Sequence, residues 1–331
     1  MIEYSHQNSL TFGYGGGILN DKTPGAELKY HFSPCAREAL SFKDECRRTA
    51  DVVLDEAERI GRPVYLLLSG GLDSVAMAKG FKATGRPFKT ITYAFNGKQN
   101  EHELEHVRDL VLMDELDHSY FWMDGVKWMK SDEAHEWFHR TNCWELGTLP
   151  LMKLMQHVWF ELGGTPVFGG GDMDVIREDG QWFYSRFESF LSRYWFSERF
   201  GLGSFVSFFQ HTPEITLSIL SEPELLRAGS GQDPMANKVL NELKIVKYNV
   251  MHRTWPGLRR RLKFGGTELI VQHITQTEEA WRRERELRFD ETWKMPFQAF
   301  RDSISARHPS RSTQTALHAQ GPAVLASLYH Q

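Results

Sequence analysis

Six consecutive residues, Ser69-Gly70-Gly71-Leu72-Asp73-Ser74, concentrate the chemistry of this chain. An apolar run, Val64-Tyr65-Leu66-Leu67-Leu68, leads into them, and small residues, Val75-Ala76-Met77-Ala78, follow. That order reads as a strand, a glycine turn and a helix N-terminus. The turn offers several backbone N–H groups, and the helix dipole adds partial positive charge. The hydroxyls of Ser69 and Ser74 add donors. Such a nest holds phosphate oxygens. Glycine at 70 and 71 lets the backbone approach an anion with no Cβ in the way. Asp73 would repel bare phosphate, so its expected job is to hold Mg²⁺ on it.

The elements that must position this turn alternate along the chain. Phe42 to Ile60 reads as an amphipathic helix, with Cys46, Ala50, Val53, Leu54 and Ala57 at helical spacing. Thr90–Phe95 reads as a second buried strand and Glu101–Leu116 as a charged helix with Leu104, Val107, Leu110 and Val111 on one face. Ser119–Met123 is a third strand. Leu149–Leu162 is a helix, and Thr165–Phe168 is a strand that ends in Gly169-Gly170-Gly171-Asp172. Strands alternating with helices predict an α/β fold with a doubly wound, mainly parallel sheet. Ligands of such sheets sit at the carboxyl ends of the strands, where both glycine turns fall. The expected organisation is an extension over 1–40 with one strand at Leu10–Tyr14, a nucleotide-binding domain over 41–185, and a mainly helical part with a polar tail over 186–331. The aromatic run Trp182-Phe183-Tyr184, with Phe187, Phe190, Tyr194, Trp195 and Phe196, reads as helical core.

Composition narrows the class. With 331 residues the chain can bury a large core. A net charge of −4 gives no global basic field, so nucleic acid is not favoured as a partner. No apolar run approaches the ~20 residues that span a bilayer, and the start, Met1-Ile2-Glu3-Tyr4, has no signal-peptide pattern. Cys35, Cys46 and Cys143 have no paired spacing. They point to a reducing, cytoplasmic compartment.

The turn at Ser69–Ser74 resembles the PP-loop, Ser-Gly-Gly-x-Asp-Ser, of the N-type ATP pyrophosphatases, at every position of the motif. The Walker motif would instead need Gly-Lys-Ser/Thr at the helix start. The resemblance extends over about residues 45–180, to the synthetase domain of asparagine synthetase. There, the strand after the loop helix makes backbone contacts to adenine; here that strand is Ile91–Phe95, with Ala94 and Phe95 at the contact. Asn100-Glu101-His102-Glu103 and Asp117-His118 stand where the family has an acidic helix entry and a small residue before His. Thr148-Leu149-Pro150-Leu151-Met152 stands for its next helix start. Its second loop, Ser-Gly-Glu-Gly-x-Asp-Glu, is matched by Gly169-Gly170-Gly171-Asp172-Met173-Asp174, without the glutamate between glycines.

The resemblance implies ATP and Mg²⁺ as cofactors. Leu68, Ser69, Gly70, Gly71, Leu72, Asp73, Ser74, Gly169, Gly170 and Gly171 would surround the nucleotide. Asp73 and Asp174, with Asp172 in reserve, would hold the metal. A lysine is expected in the later half, from Lys244-Ile245-Val246-Lys247-Tyr248 or Arg259-Arg260-Arg261-Leu262-Lys263, with Lys247 preferred. The reaction implied is adenylation of a small carboxylate or amino-acid-like substrate, followed by displacement of AMP by an amine. Glutamine-dependent members begin with a catalytic Cys after Met1; this chain has Ile2 and only about sixty residues before the loop. Ammonia or an amine is therefore expected from solution or from a separate glutaminase. The alternatives are a PP-loop enzyme that modifies a nucleobase or tRNA, and a degenerate nucleotide-binding protein.

A second constellation competes. His102-Glu103-Leu104-Glu105-His106 and His135-Glu136-Trp137-Phe138-His139 both match His-Glu-x-x-His, which on a helix puts two imidazoles on one face for Zn²⁺. Neither has a third ligand in evident context, and surface histidines are the expectation.

Overall fold

The apolar run ahead of the glycine turn forms a strand, β3 (Val64–Leu67), at the centre of a parallel sheet. A computed structural model describes residues 9–15, 25–141, 143, 147–170, 175–178, 181–187, 191–223, 249–256, 266, 269–270 and 292–305. In it, β3 is flanked by β4 (Lys89–Phe95) and β6 (Thr165–Phe168). Outside them lie β5 (His118–Met123) and β9 (Val206–Ser207), giving the order β5-β4-β3-β6-β9 with every pair parallel. All four residues of β3 are buried. That follows from a parallel sheet covered on both faces, where strands need apolar residues at every position.

Alternate residues of β3 feed two cores. Val64 and Leu66 pack with Ala50, Val53 and Phe81, on the side of α1 (Phe42–Arg59) and α2 (Leu72–Lys82). Tyr65 and Leu67 pack with Trp137, Leu149 and Met152, on the side of α5 (Asp132–Thr141) and α6 (Thr148–Phe160). Helices therefore cover both faces, and the fold is the expected doubly wound α/β. The start of α1 is set by Ser41, whose hydroxyl accepts from the Asp44 N–H at 3.2 Å. Asp44 and Glu45 then complement the dipole of the first turn. The crossover β4–α3–β5 uses α3 (Glu101–Asp114), with Leu104, Val107 and Leu110 buried as expected. A short helix, α4 (Gly125–Met129), follows β5.

Three elements depart from the sequence reading. The first 40 residues hold not one strand but an antiparallel pair, β1 (Leu10–Tyr14) and β2 (Leu28–Phe32). The later part, mainly helical among its described residues, also carries strands. A second sheet, β10-β8-β7, joins β7 (Val175–Glu178) and β8 (Gln181–Phe187) to β10 (Thr292–Pro296). The aromatic run at Trp182–Phe187 is thus strand; Tyr184 stacks face to face on Phe300 at 3.9 Å. Only its continuation, Tyr194, Trp195 and Phe196, is helical, in α7 (Ser192–Arg199). The expected boundary at 185/186 falls inside β8, and β9 from the later part completes the main sheet. Phe190 lies outside the described residues.

The N-terminal strands are tied to the later part. Ser9 donates its N–H to the Gln210 carbonyl at 2.9 Å, and the Cys35 N–H reaches the Ile304 carbonyl at 2.8 Å. Gln210 is in α8 (Phe208–His211), which leads into α9 (Pro213–Leu220); Ile304 ends α10 (Phe297–Ile304). The Ala36 N–H donates to Glu214 Oε1 at 2.7 Å. Glu45, fully buried, accepts from both guanidinium nitrogens of Arg37 at 2.5 and 2.7 Å and from the Leu40 N–H at 2.7 Å. A buried carboxylate needs such a set of donors to be tolerated. Cys35, Cys46 and Cys143 are buried, and none of them is in a disulfide. Burial, with the carboxylates of Glu214 and Glu45, pushes the Cys35 thiol up to about 12, so it is inert as a nucleophile. Among the described residues no helix is long and apolar enough to cross a membrane.

At the head of β5, His118 packs against Tyr120, and its Nδ1 lies 2.9 Å from the Thr90 hydroxyl. Burial lowers its pKa from 6.5 to about 4, with Asp117 opposing. The unfolded chain therefore binds a proton between about pH 6.5 and 4 that the folded chain refuses. This group takes stability away as pH falls through that window and is without effect above it. The melting temperature of the wild type should drop more between pH 7 and 4.5 than that of His118→Gln. Parallel curves for the two proteins would refute the assignment.

Candidate nucleotide site

The order β5-β4-β3-β6-β9 reverses direction at β3. From β3 the chain winds outward through β4 to β5, then returns to place β6 on the other side. Between β3 and β6 lies the switch point, where crossovers leave to opposite faces and a crevice opens at the carboxyl ends. Leu67 and Phe168, the last residues of these strands, are register partners. The two glycine turns, after Leu68 and after Phe168, therefore emerge side by side on one edge of the sheet.

The first turn is fixed from within. The Leu68 N–H donates to the Ile91 carbonyl at 2.9 Å, and the Thr92 hydroxyl donates to the Leu68 carbonyl at 2.8 Å. Leu68 thus closes the ladder, and the chain leaves it at Ser69. Ser74, buried, donates its hydroxyl to the Gly71 carbonyl at 2.9 Å and accepts from the Ser69 N–H at 3.3 Å. The Gly71 N–H reaches the Ser69 Oγ at 3.3 Å. Gly71 is the N-cap of α2 with no side-chain cap. The first intrahelical bond runs from the Val75 N–H to the Gly71 carbonyl at 3.0 Å. The N–H groups ahead of it belong to the first turn, where the helix supplies no acceptor. Ser69 is exposed, and Gly70 through Asp73 are half-buried, so the nest faces the crevice.

Two close approaches explain the glycines. Gly70 has φ +62°, the left-handed region. A Cβ there would also sit 3.1 Å from His106 Cβ and 3.3 Å from the Glu103 carbonyl, because α3 backs the loop. Gly169, on the other side, is pressed against the start of α2. A Cβ there would stand 3.0 Å from the carbonyl carbon and oxygen of Asp73 and from Ser74 Cα. Backbone meets backbone, so neither side can yield. The second turn is held further by the Ser207 hydroxyl, which donates to the Gly170 carbonyl at 3.0 Å.

The structure therefore brings together Leu68, Ser69, Gly70, Gly71, Leu72, Asp73 and Ser74 with Gly169 and Gly170. Gly171, Asp172, Asp174 and Lys247 lie outside the described residues, as do Arg259–Lys263. Ala94 directs its main chain into the β4–β5 ladder, where it pairs with Trp122. Phe95 donates its N–H to Asn100 Oδ1 at 3.0 Å and its carbonyl accepts the Lys98 N–H at 2.8 Å.

Sequence reasoning missed Arg193. This buried guanidinium lies over the Phe168 ring, 4.5 Å from its centroid, and its Nη1 is 3.0 Å from where a Gly170 Cβ would be. It places positive charge at the carboxyl end of β6, beside the second turn. Its neighbours in sequence, Tyr194-Trp195-Phe196, read as core, and nothing local marks Arg193 as facing a site.

The donor set fits Mg²⁺-bound phosphates. Two hydroxyls, a glycine turn and a helix N-terminus suit phosphate oxygens. Mg²⁺ needs only one or two carboxylates when phosphates and water complete its shell, and Asp73 would supply one. The competing His-Glu-x-x-His motifs fare differently. The first lies on α3, against the back of the loop. In the second, on α5, the Nε2 atoms of His135 and His139 are 3.0 Å apart on the surface. Among the described residues no group of three His, Cys, Asp or Glu side chains is placed to hold a metal.

Gly70→Ala puts a Cβ into the left-handed region and against α3. It should cost about 1–2 kcal/mol from conformation alone, read as a lower urea midpoint with unchanged slope. An unaltered midpoint would show that this turn does not need glycine.

No protein-family model matches the sequence, and neither does any curated protein. Among solved structures the chain is similar to the NMN synthetase from Francisella tularensis, with 11% identity, 72% of this chain and 95% of that one covered, and a TM-score of 0.34. It is similar to the NAD+ synthetase from Burkholderia pseudomallei, with 17% identity, 76% and 93% covered, and a TM-score of 0.32. A third similar structure is the NH3-dependent NAD synthetase from Campylobacter jejuni, in complex with the nitrate ion, with 11% identity, 68% and 99% covered, and a TM-score of 0.32.

Proposed function

We propose that this chain is a PP-loop ligase that cleaves ATP to AMP and pyrophosphate. It activates a small carboxylate, or an amide oxygen, as its adenylate and passes it to ammonia or an amine, in the manner of asparagine synthetase. The observation that carries the reading is the full Ser-Gly-Gly-Leu-Asp-Ser turn at the switch point, with Gly169 of the second turn packed on Asp73 and Ser74.

The chemistry follows from which phosphates the nest grips. With the β- and γ-phosphates in the Ser69–Ser74 turn, the α-phosphorus faces the crevice. A substrate oxygen attacks it, the bond to the β-phosphate oxygen breaks, and pyrophosphate takes the electron pair. The amine nitrogen then attacks the acyl carbon, AMP leaves, and the nitrogen loses a proton. The protein's part is positioning and charge stabilisation. Ser69 and Ser74 orient phosphate oxygens, and the α2 dipole opposes their charge. Asp73, with Asp174 and Asp172 from the second turn, would hold Mg²⁺, which supplies neutralisation of the leaving pyrophosphate. Lys247 is the residue assigned to the developing charge, and Arg193 of α7 adds positive charge beside the second turn.

Two measurements test this. After turnover with candidate acids and amines, nucleotide chromatography should find AMP, with pyrophosphate in equal amount. ADP and phosphate as main products would contradict the reading. Asp73→Ala should cut Mg·ATP-dependent pyrophosphate release by roughly 100-fold or more, with its circular dichroism spectrum unchanged. Undiminished turnover in that variant would remove the loop from the active site.

A further inference from the structure

Strand β4 overruns β3 at the crevice. The last contribution of β3's side is the bond from the Leu68 N–H to the Ile91 carbonyl at 2.9 Å. Beyond it the chain turns away into Ser69–Ser74, while β4 continues to Phe95 against β5. The N–H groups of even-numbered residues in this stretch point to β5: Thr90 donates to Asp117 and Asn96 to Met123, at 2.8 and 2.9 Å. The Tyr93 carbonyl and the Phe95 N–H therefore point the other way, past the end of β3 and beside the phosphate turn. An acceptor and a donor, adjacent on a strand edge next to a phosphate nest, are suited to pair with the edge of a nucleobase.

Here that pair is already taken. The Phe95 N–H donates to Asn100 Oδ1, and Asn100 Nδ2 donates to the Tyr93 carbonyl, both at 3.0 Å. A carboxamide offers one acceptor beside one donor, the pattern that N1 and N6 of adenine present. Asn100 thus satisfies the overhang as the base would. It is also locked in place. Asn100 is 0% exposed, and its carbonyl accepts from Glu103 and Leu104 at the start of α3, at 3.0 and 3.1 Å. Gly266 lies so close behind that a Cβ on it would be 2.8 Å from Asn100 Cα. The remaining polar group of Phe95, its carbonyl, accepts from Lys98.

We propose that Asn100 sets the base selectivity of this site by closing the β4 edge, so that the protein grips the triphosphate and distinguishes poorly between adenine and guanine. The proposal rests on the nucleotide reading of the Ser69–Ser74 turn. Sites that read a base through buried hydrogen-bonding groups reject the wrong partner by large factors, because a mismatched base leaves those groups unpaired. With the pair satisfied internally, that penalty disappears.

The test is competition by Mg·ATP, Mg·GTP and Mg·ITP against a ribose-labelled fluorescent ATP bound to the full chain. The three dissociation constants should agree within about threefold, far below the discrimination of a base-reading site. ATP binding more than about tenfold tighter than GTP overturns the proposal and leaves the nucleotide reading intact. Failure of all three to bind overturns the nucleotide reading, and this proposal with it. Asn100→Ala frees the Tyr93 carbonyl and the Phe95 N–H, and the preference for ATP over GTP should rise at least about fivefold. An unchanged ratio in the folded variant overturns the proposal; where the variant does not fold, the wild-type ratio decides.

Discussion

The parallel pairing of β3 with β6 is the constraint on which the site depends. The register of Leu67 with Phe168 brings two turns out of the sheet together, and the close approach of Gly169 to Asp73 and Ser74 fixes their spacing. Interiors at this density do not deform smoothly, so the spacing behaves as a rigid dimension. Two outer supports hold it. Behind the first turn, α3 abuts Gly70, and behind the second, Ser207 of β9 hydrogen-bonds Gly170. The supports come from opposite ends of the sheet's strand order. A shift of either edge would thus be transmitted to the crevice.

This arrangement ties described residues of the later part of the chain to the same sheet. β9 adds the outer strand next to β6, and its Ser207 reaches the second turn. α8 and α9 pack with α1, and the N-terminal pair β1–β2 is sewn to α8 through Ser9 and to α10 through Cys35. Gly266 abuts the turn that carries Asn100. The sheet's carboxyl edge is therefore bounded by residues from every third of the sequence. Its contacts span long separations, as in Tyr184 with Met295. Such topologies close their loops before contacts reward them, and they fold slowly.

What was legible in the sequence was local. The apolar run Val64–Leu68, the glycine turn and the periodicity of α1, α3 and α6 each state their structure within one element, and their order states a doubly wound sheet. What failed was pairing at a distance and signals masked by context. Leu28-Lys29-Tyr30-His31-Phe32 alternates as a strand should, yet it lies among glycines and prolines that read as loop. Trp182–Phe187 became strand because β7 and β10 pair with it, and β10 is more than a hundred residues away. A run so rich in aromatics fits a buried helix as well as a strand, so periodicity alone does not decide. At the candidate site, the strand, glycine turn and helix start were legible because they follow one another in consecutive residues. Arg193 and Asn100 were not, since each acts through a neighbour that only the fold supplies.

The electrostatics of the crevice depend on local groups and not on the molecule's total. A net charge of −4 disfavours a polyphosphate at long range, but physiological salt screens charges beyond about 8 Å. Inside that radius three features decide. The N-terminus of α2 points its partial positive charge at the turn, Arg193 stands beside the second turn, and Asp73 sits in the first turn of the helix. A helix N-terminus favours a carboxylate at that position. Against bare phosphate it is repulsive, and against metal-bound phosphate attractive. On the proposed function, this one residue would make the nest selective for the metal complex over the free anion, a distinction that glycine and serine alone do not provide.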